Sequence, residues 1–143
     1  MYCKRKITIQ ILSAFMVVLI FMSTFLNIPV FAENNIDLFK YDDYVIKYSI
    51  VNEWDNHQNI EIKITNTGNE TIYNWALGYD ADGKISGIWN GTIYENKGTN
   101  YIIKNAGYNY EILPGNSVTF GYTLQGENLA TPDNLNFVLK ELK

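Results

Sequence analysis

The feature that most constrains the fold is a two-residue period that returns along the chain after residue 44. Ile60, Ile62 and Ile64 alternate with Glu61, Lys63 and Thr65. Side chains of an extended strand point to opposite faces in turn, so this pattern describes an antiparallel strand with one buried and one wet face. The same pattern recurs in Val118, Phe120 and Tyr122 against Ser117, Thr119 and Gly121. That strand follows Leu113-Pro114-Gly115-Asn116, where Pro presets φ and Gly supplies the positive φ of a type II turn. Further strands are predicted over Val45–Val51, Asn59–Asn66, Ile72–Asp80, Lys84–Tyr94, Asn100–Asn105, Ser117–Gln125 and Asn136–Leu142. On the third, Tyr73, Trp75, Leu77 and Tyr79 share a side. Ala81-Asp82-Gly83 reads as a hairpin signal, and Asn96-Lys97-Gly98 closes the strand before it. Short strands bounded by Gly, Asn and Pro turns predict an all-β fold, a β-sandwich of two antiparallel sheets, immunoglobulin-like or jelly-roll-like.

The first 32 residues are of another kind. Lys4, Arg5 and Lys6 precede an uncharged apolar run over residues 7–28, and Val30-Phe31-Ala32 precedes polar residues. A basic start, an apolar middle and a V-x-A site predict a signal peptide over residues 1–32, hence a secreted domain. The run is long enough that an uncleaved membrane anchor is the alternative. Residues 33–43 read as an irregular lead-in and residues 44–143 as the sandwich.

Of 11 Lys+Arg, three lie in the leader, leaving 8 against 15 Asp+Glu, a net of −7. That balance disfavours nucleic acid and anionic membranes as partners, both of which require basic clusters. The single cysteine, Cys3, belongs to the leader, so neither a disulfide nor a cysteine-based metal site is expected in the domain.

A catalytic reading finds little support. His57, the one histidine, lies in the polar stretch Asp55-Asn56-His57-Gln58 and reads as a solvated loop residue, with no nucleophile motif to serve. Glu53, Asp55, Glu61 and Glu111 would be needed in converging pairs for glycoside hydrolysis, and nothing in their spacing brings two together. Asp80-Ala81-Asp82-Gly83 resembles part of a calcium loop but lacks the later glutamate, and reads as a tight turn. No catalytic residue, cofactor or metal is expected.

The aromatics say more. Trp75 falls on an apolar strand face and belongs to the core. Trp54, in Asn52-Glu53-Trp54-Asp55-Asn56, has polar neighbours at a strand end. If Ile88 faces inward, Trp89 and Gly87 face out. Tyr108 sits in Asn105-Ala106-Gly107-Tyr108-Asn109. Three aromatics in polar or Gly-rich surroundings on three segments are the ingredients of a stacking surface for sugar rings. Planar side chains with few rotatable bonds lose little entropy on binding.

The order of these segments resembles the family 2 carbohydrate-binding modules, the cellulose-binding domains attached to bacterial cellulases and xylanases. The likeness spans residues 44–126. It is carried by Val51-Asn52-Glu53-Trp54, Ile60-Glu61-Ile62-Lys63-Ile64-Thr65-Asn66-Thr67-Gly68, Asn74-Trp75-Ala76-Leu77 and Gly87-Ile88-Trp89-Asn90. Asn105-Ala106-Gly107-Tyr108-Asn109, Pro114-Gly115-Asn116-Ser117-Val118 and Phe120-Gly121-Tyr122 complete it. The resemblance implies a non-catalytic module that binds polysaccharide, cellulose or xylan, through three planar surface aromatics matching Trp54, Trp89 and Tyr108; a monomer is expected. It implies polar helpers at Asn52, Asn109 and Gln125. The chain departs from the pattern in lacking the disulfide many members carry, in having Tyr for the third Trp, and in placing Gly87 where a polar side chain is common. The alternative is an extracellular sandwich used for protein contact, as in adhesins or scaffolds.

Overall fold

The computed structural model describes residues 36–127, 129 and 135–143. The leader at 1–32 lies outside them. Every element among the described residues is a strand: β1 (Ile36–Lys40), β2 (Tyr44–Trp54), β3 (His57–Asn66), β4 (Ile72–Tyr73), β5 (Trp75–Asp80), β6 (Lys84–Trp89), β7 (Gly91–Lys97), β8 (Asn100–Asn105), β9 (Glu111–Ile112), β10 (Ser117–Gln125) and β11 (Val138–Glu141). They form a five-stranded sheet in the order β1-β2-β3-β10-β6, a four-stranded sheet in the order β11-β5-β8-β7, and the small pair β4-β9. All pairings are antiparallel.

The two larger sheets pack face to face, as the alternation requires. Ile60, Ile62, Ile64, Phe120 and Tyr122 from the first meet Trp75, Leu77, Tyr79 and Ile103 from the second in one buried cluster. Aromatic rings bridge the layers: Trp75 stacks on Phe120 with centroids 5.6 Å apart, and Tyr79 on Tyr122 at 6.0 Å. Burial of this kind stabilises by about 25 cal/mol per Å² of apolar surface. Burial also pushes the Tyr48 hydroxyl up to about 12 and those of Tyr79 and Tyr122 well above the ordinary phenol range.

Asn66 is the main polar anchor, 1% exposed. Its Nδ2 donates to the carbonyls of Glu70 (2.7 Å) and Ile112 (2.8 Å), and its Oδ1 accepts from the Gly68 N–H (2.9 Å). The Pro-Gly turn forms as expected: Gly115 has φ +76°, and the Asn116 N–H donates to the Leu113 carbonyl at 2.9 Å.

Four local expectations are corrected. The strand expected over 72–80 breaks at Asn74, whose φ of +46° is tolerated by few residues other than Asn and Gly. The break turns Tyr73 out to solvent, away from the buried face that Trp75, Leu77 and Tyr79 share. The strand expected over 84–94 breaks likewise at Asn90, φ +57°, and its halves join different sheets. Ala81-Asp82-Gly83 is therefore a crossover between sheets rather than a hairpin, because β5 and β6 do not pair. Within the lead-in, residues 36–40 form β1, which pairs along β2 and packs a partly buried Phe39 against Phe137 at a ring separation of 4.9 Å.

A candidate glycan-binding face on the five-stranded sheet

Strand register decides what the outer face of the five-stranded sheet presents. Ile60, Ile62 and Ile64 of β3 point into the core, so His57, Asn59, Glu61 and Lys63 point out. Directly paired residues share a face, and the pairings assemble three rows. The first is Trp54, His57, Gln125 and Lys84; the second Asn52, Asn59, Thr123 and Gly87; the third Ser49, Glu61, Gly121 and Trp89.

Trp54 reaches this face through a bulge. Ile46 and Tyr48 point inward, and unbroken alternation would carry Asn52 and Trp54 inward after them. The register shifts between Ile50 and Asn52, leaving Val51 as the extra residue and reversing the parity. A second shift between Thr123 and Leu124 leaves Ser86 extra, so both Ile85 and Ile88 point inward while Gly87 and Trp89 point out.

Trp54 and Trp89 thus stand at opposite corners of one patch. They are three strand spacings apart, about 14 Å, and two rows apart, about 14 Å along the strands. Both are 40% exposed. Each lies over its own cross-strand partner. The Trp54 indole stacks on the His57 imidazole with centroids 5.4 Å apart and planes within 5°. The Trp89 indole lies across Gly121, where a Cβ would run into its Cζ2 and Cε2 atoms. The two rings are therefore laid down on the sheet, each with a face left toward solvent.

His57 is accordingly not the solvated loop residue its polar neighbours suggest. It opens β3, pairs with Trp54, and is partly buried, with Nδ1 lacking a hydrogen-bond partner among the described residues.

Between the corners the surface is polar and level. Thr123 donates its hydroxyl to Asn59 Oδ1 at 2.9 Å, and Gly87 adds no side chain. Asn59, Thr123 and Gly121 were not singled out from the sequence, and Glu61 was weighed there only as a catalytic carboxylate. Their outward parity was legible, but their position between the two tryptophans follows only from pairing between distant strands.

Tyr108 joins the Trp89 end. It lies in the loop after β8, 72% exposed, and its hydroxyl donates to Asn90 Oδ1 at 2.7 Å. Asn109 beside it is committed to the fold: Oδ1 accepts from the Ala106 N–H (2.8 Å) and Nδ2 donates to the Asn90 carbonyl (2.9 Å). Its own carbonyl accepts from Nε1 of buried Trp75 at 2.6 Å, so the core indole carries the loop that bears Tyr108. Asn52 and Gln125 are exposed on the patch itself, in the rows of Asn59 and Trp54, and Asn52 Oδ1 accepts from the Glu53 N–H at 3.0 Å. Of the six residues read from the sequence, Trp54, Asn52 and Gln125 therefore cluster at one end. At the other end Tyr108 is tied to Asn90, the residue after Trp89, and Asn109 bonds to the same Asn90.

Comparison with known proteins places this arrangement. The chain is 36% identical over 77 residues to endo-1,4-beta-xylanase A of Cellvibrio japonicus, covering 52% of this chain and 12% of that protein. It is 36% identical over 87 residues to endoglucanase B of the same organism, covering 59% and 16%. The chain thus spans less than a fifth of either relative. The chitin-binding domain of Chi18aC from Streptomyces coelicolor superposes with a TM-score of 0.54 at 25% identity, covering 66% of this chain and 90% of that one. Residues 44–139 match the cellulose binding domain model. A sandwich whose outward tryptophans lie flat at the corners of a polar patch, with this match across the domain, belongs to the cellulose binding domain family, family 2 of the carbohydrate-binding modules.

Proposed function

We propose that this chain is a secreted, non-catalytic module that adsorbs to cellulose or a related β-1,4-glycan. Trp54, Trp89 and Tyr108 stack on sugar rings, while Asn52 and Gln125, with Asn59 and Thr123 between the tryptophans, hydrogen-bond to hydroxyls. Asn109 acts by holding the Tyr108 loop. The observation that carries the reading is the pair of flat tryptophans on one sheet face. A surface of level rings suits an extended chain on a solid polymer better than a single sugar in a pocket. The alternative of a protein-contact sandwich gives way to the family match, which is to a polysaccharide-binding domain. The V-x-A leader supports export, and the module is expected to act as a monomer.

The test is depletion from solution by insoluble cellulose, chitin and xylan. By analogy with bases stacking on aromatics, each ring contributes on the order of 1–3 kcal/mol. Trp54→Ala and Trp89→Ala are each expected to weaken adsorption roughly 5- to 150-fold, with thermal melts close to wild type. Tyr108→Ala should cost less, as its ring is smaller. Adsorption by Trp89→Ala equal to wild type on all three polymers refutes the assignment.

A further inference from the structure

Asn90 stands where the chain leaves one sheet for the other. β6 ends at Trp89 in the five-stranded sheet and β7 begins at Gly91 in the four-stranded sheet. Asn90 makes that corner with φ +57°, in the left-handed region that Asn enters more readily than most residues with a Cβ. Both of its oxygens are taken by the same loop. The backbone carbonyl accepts from Asn109 Nδ2 at 2.9 Å, and the side-chain Oδ1 accepts from the Tyr108 hydroxyl at 2.7 Å. A ring as exposed as that of Tyr108 has little packing to hold it, so the bond to Asn90 is its orienting contact.

From this we propose that Asn90 is a positioning residue that couples Tyr108 to Trp89. The two rings come from segments of different sheets, and Asn90 presents them to the glycan as one ordered unit. The inference rests on the aromatic platform proposed above. Its physical basis is pre-organisation: a side chain ordered before binding loses less conformational freedom on contact, and affinity rises accordingly. Asparagine meets two requirements at once here. Glycine would satisfy the φ but not the acceptor; aspartate would keep an acceptor oxygen in a residue that also tolerates the conformation.

The experiment measures adsorption to insoluble cellulose for the wild type, Asn90→Gly, Asn90→Asp, Tyr108→Phe and the double variant Asn90→Gly/Tyr108→Phe. Loss of one neutral hydrogen bond predicts that Asn90→Gly and Tyr108→Phe each weaken adsorption about fivefold. The double variant should be no weaker than either single one, since both remove the same contact. Asn90→Asp should restore most of the affinity. If Asn90→Gly adsorbs like the wild type, the residue is only a chain corner and the proposal is overturned. Losses that add in the double variant overturn it too. Tyr108→Phe alters only an exposed hydroxyl, so the cycle keeps an informative arm if Asn90→Gly folds poorly. Trp54→Ala, at the far corner, reports on the platform separately. If it loses adsorption and Asn90→Gly does not, only the role of Asn90 falls; if both bind as wild type, the platform falls and this inference with it.

Discussion

Replacing Gly121 with Ala is the sharpest perturbation available on the proposed binding face. The residue is covered by the Trp89 indole, and an added Cβ would overlap the Cζ2 and Cε2 atoms of that ring. It would also stand 2.7 Å from the Ile60 carbonyl oxygen, closer than real Cβ atoms come. The ring can lift away, but the cross-strand carbonyl can move only by shifting β3 against β10. Overpacking of this sort costs about 1–3 kcal/mol. In a domain of roughly 100 residues that lowers the melting temperature by roughly 4–24 °C, at about 4–8 °C per kcal/mol. On the proposed platform the functional consequence follows from the ring: an indole lifted off the sheet no longer offers its flat face for stacking on a sugar. Adsorption to cellulose should fall nearly as far as in Trp89→Ala, although Trp89 is still present. The double variant Gly121→Ala/Trp89→Ala should lose much less relative to Trp89→Ala than Gly121→Ala loses relative to wild type, because only the backbone clash with Ile60 remains once the ring is gone. Wild-type adsorption by Gly121→Ala, with its melt unchanged, would show that the ring does not need the bare backbone beneath it.

Two further outcomes concern stability. Asn66→Ala should destabilise the fold by about 2–4 kcal/mol, since it strands the buried Ile112 carbonyl and frees the turn at Gly68; a urea-midpoint shift equivalent to under about 1 kcal/mol would contradict that. The buried tyrosines predict alkaline lability. An unfolded chain ionises its phenols near pH 10, whereas burial holds Tyr48 protonated up to about 12 and raises Tyr79 and Tyr122 well above the ordinary phenol range. Above pH 10 the unfolded state therefore binds fewer protons than the folded one. Stability is fully present below pH 10 and falls as pH rises toward 12, by about 1 kcal/mol per pH unit for each such tyrosine. Urea titrations at pH 9, 10.5 and 11.5 check the sign, and a flat profile refutes it.

The strands and the core were legible in the sequence because their signals are local. Ile60, Ile62 and Ile64 alternate with polar residues over six positions, and Trp75 is read as core from its two nearest apolar neighbours. The exposure of Trp54 was inferred correctly from polar surroundings, though the reason lies elsewhere. Parity carried forward from Ile46 and Tyr48 points Trp54 inward, and only the bulge at Val51 reverses it. Polar context alone misled at His57, whose role as the floor under Trp54 depends on pairing across the β2–β3 turn. The breaks at Asn74 and Asn90 escaped notice because asparagine in the left-handed region looks no different, in one dimension, from asparagine in a strand.

By itself the chain's order of residues determined an all-β sandwich, the buried faces of its longer strands, the Pro-Gly turn and the aromatics left over once the core was filled. Period-two patterning encodes which side of a strand is wet, and that is short-range information. Only the tertiary structure decided that the wet sides of β2, β3, β10 and β6 form one surface, that Gly121 and His57 lie beneath the two indoles, and that Asn90 joins Tyr108 to Trp89. Those relations are set by register between segments tens of residues apart, where a shift of one position would send each ring to the opposite face.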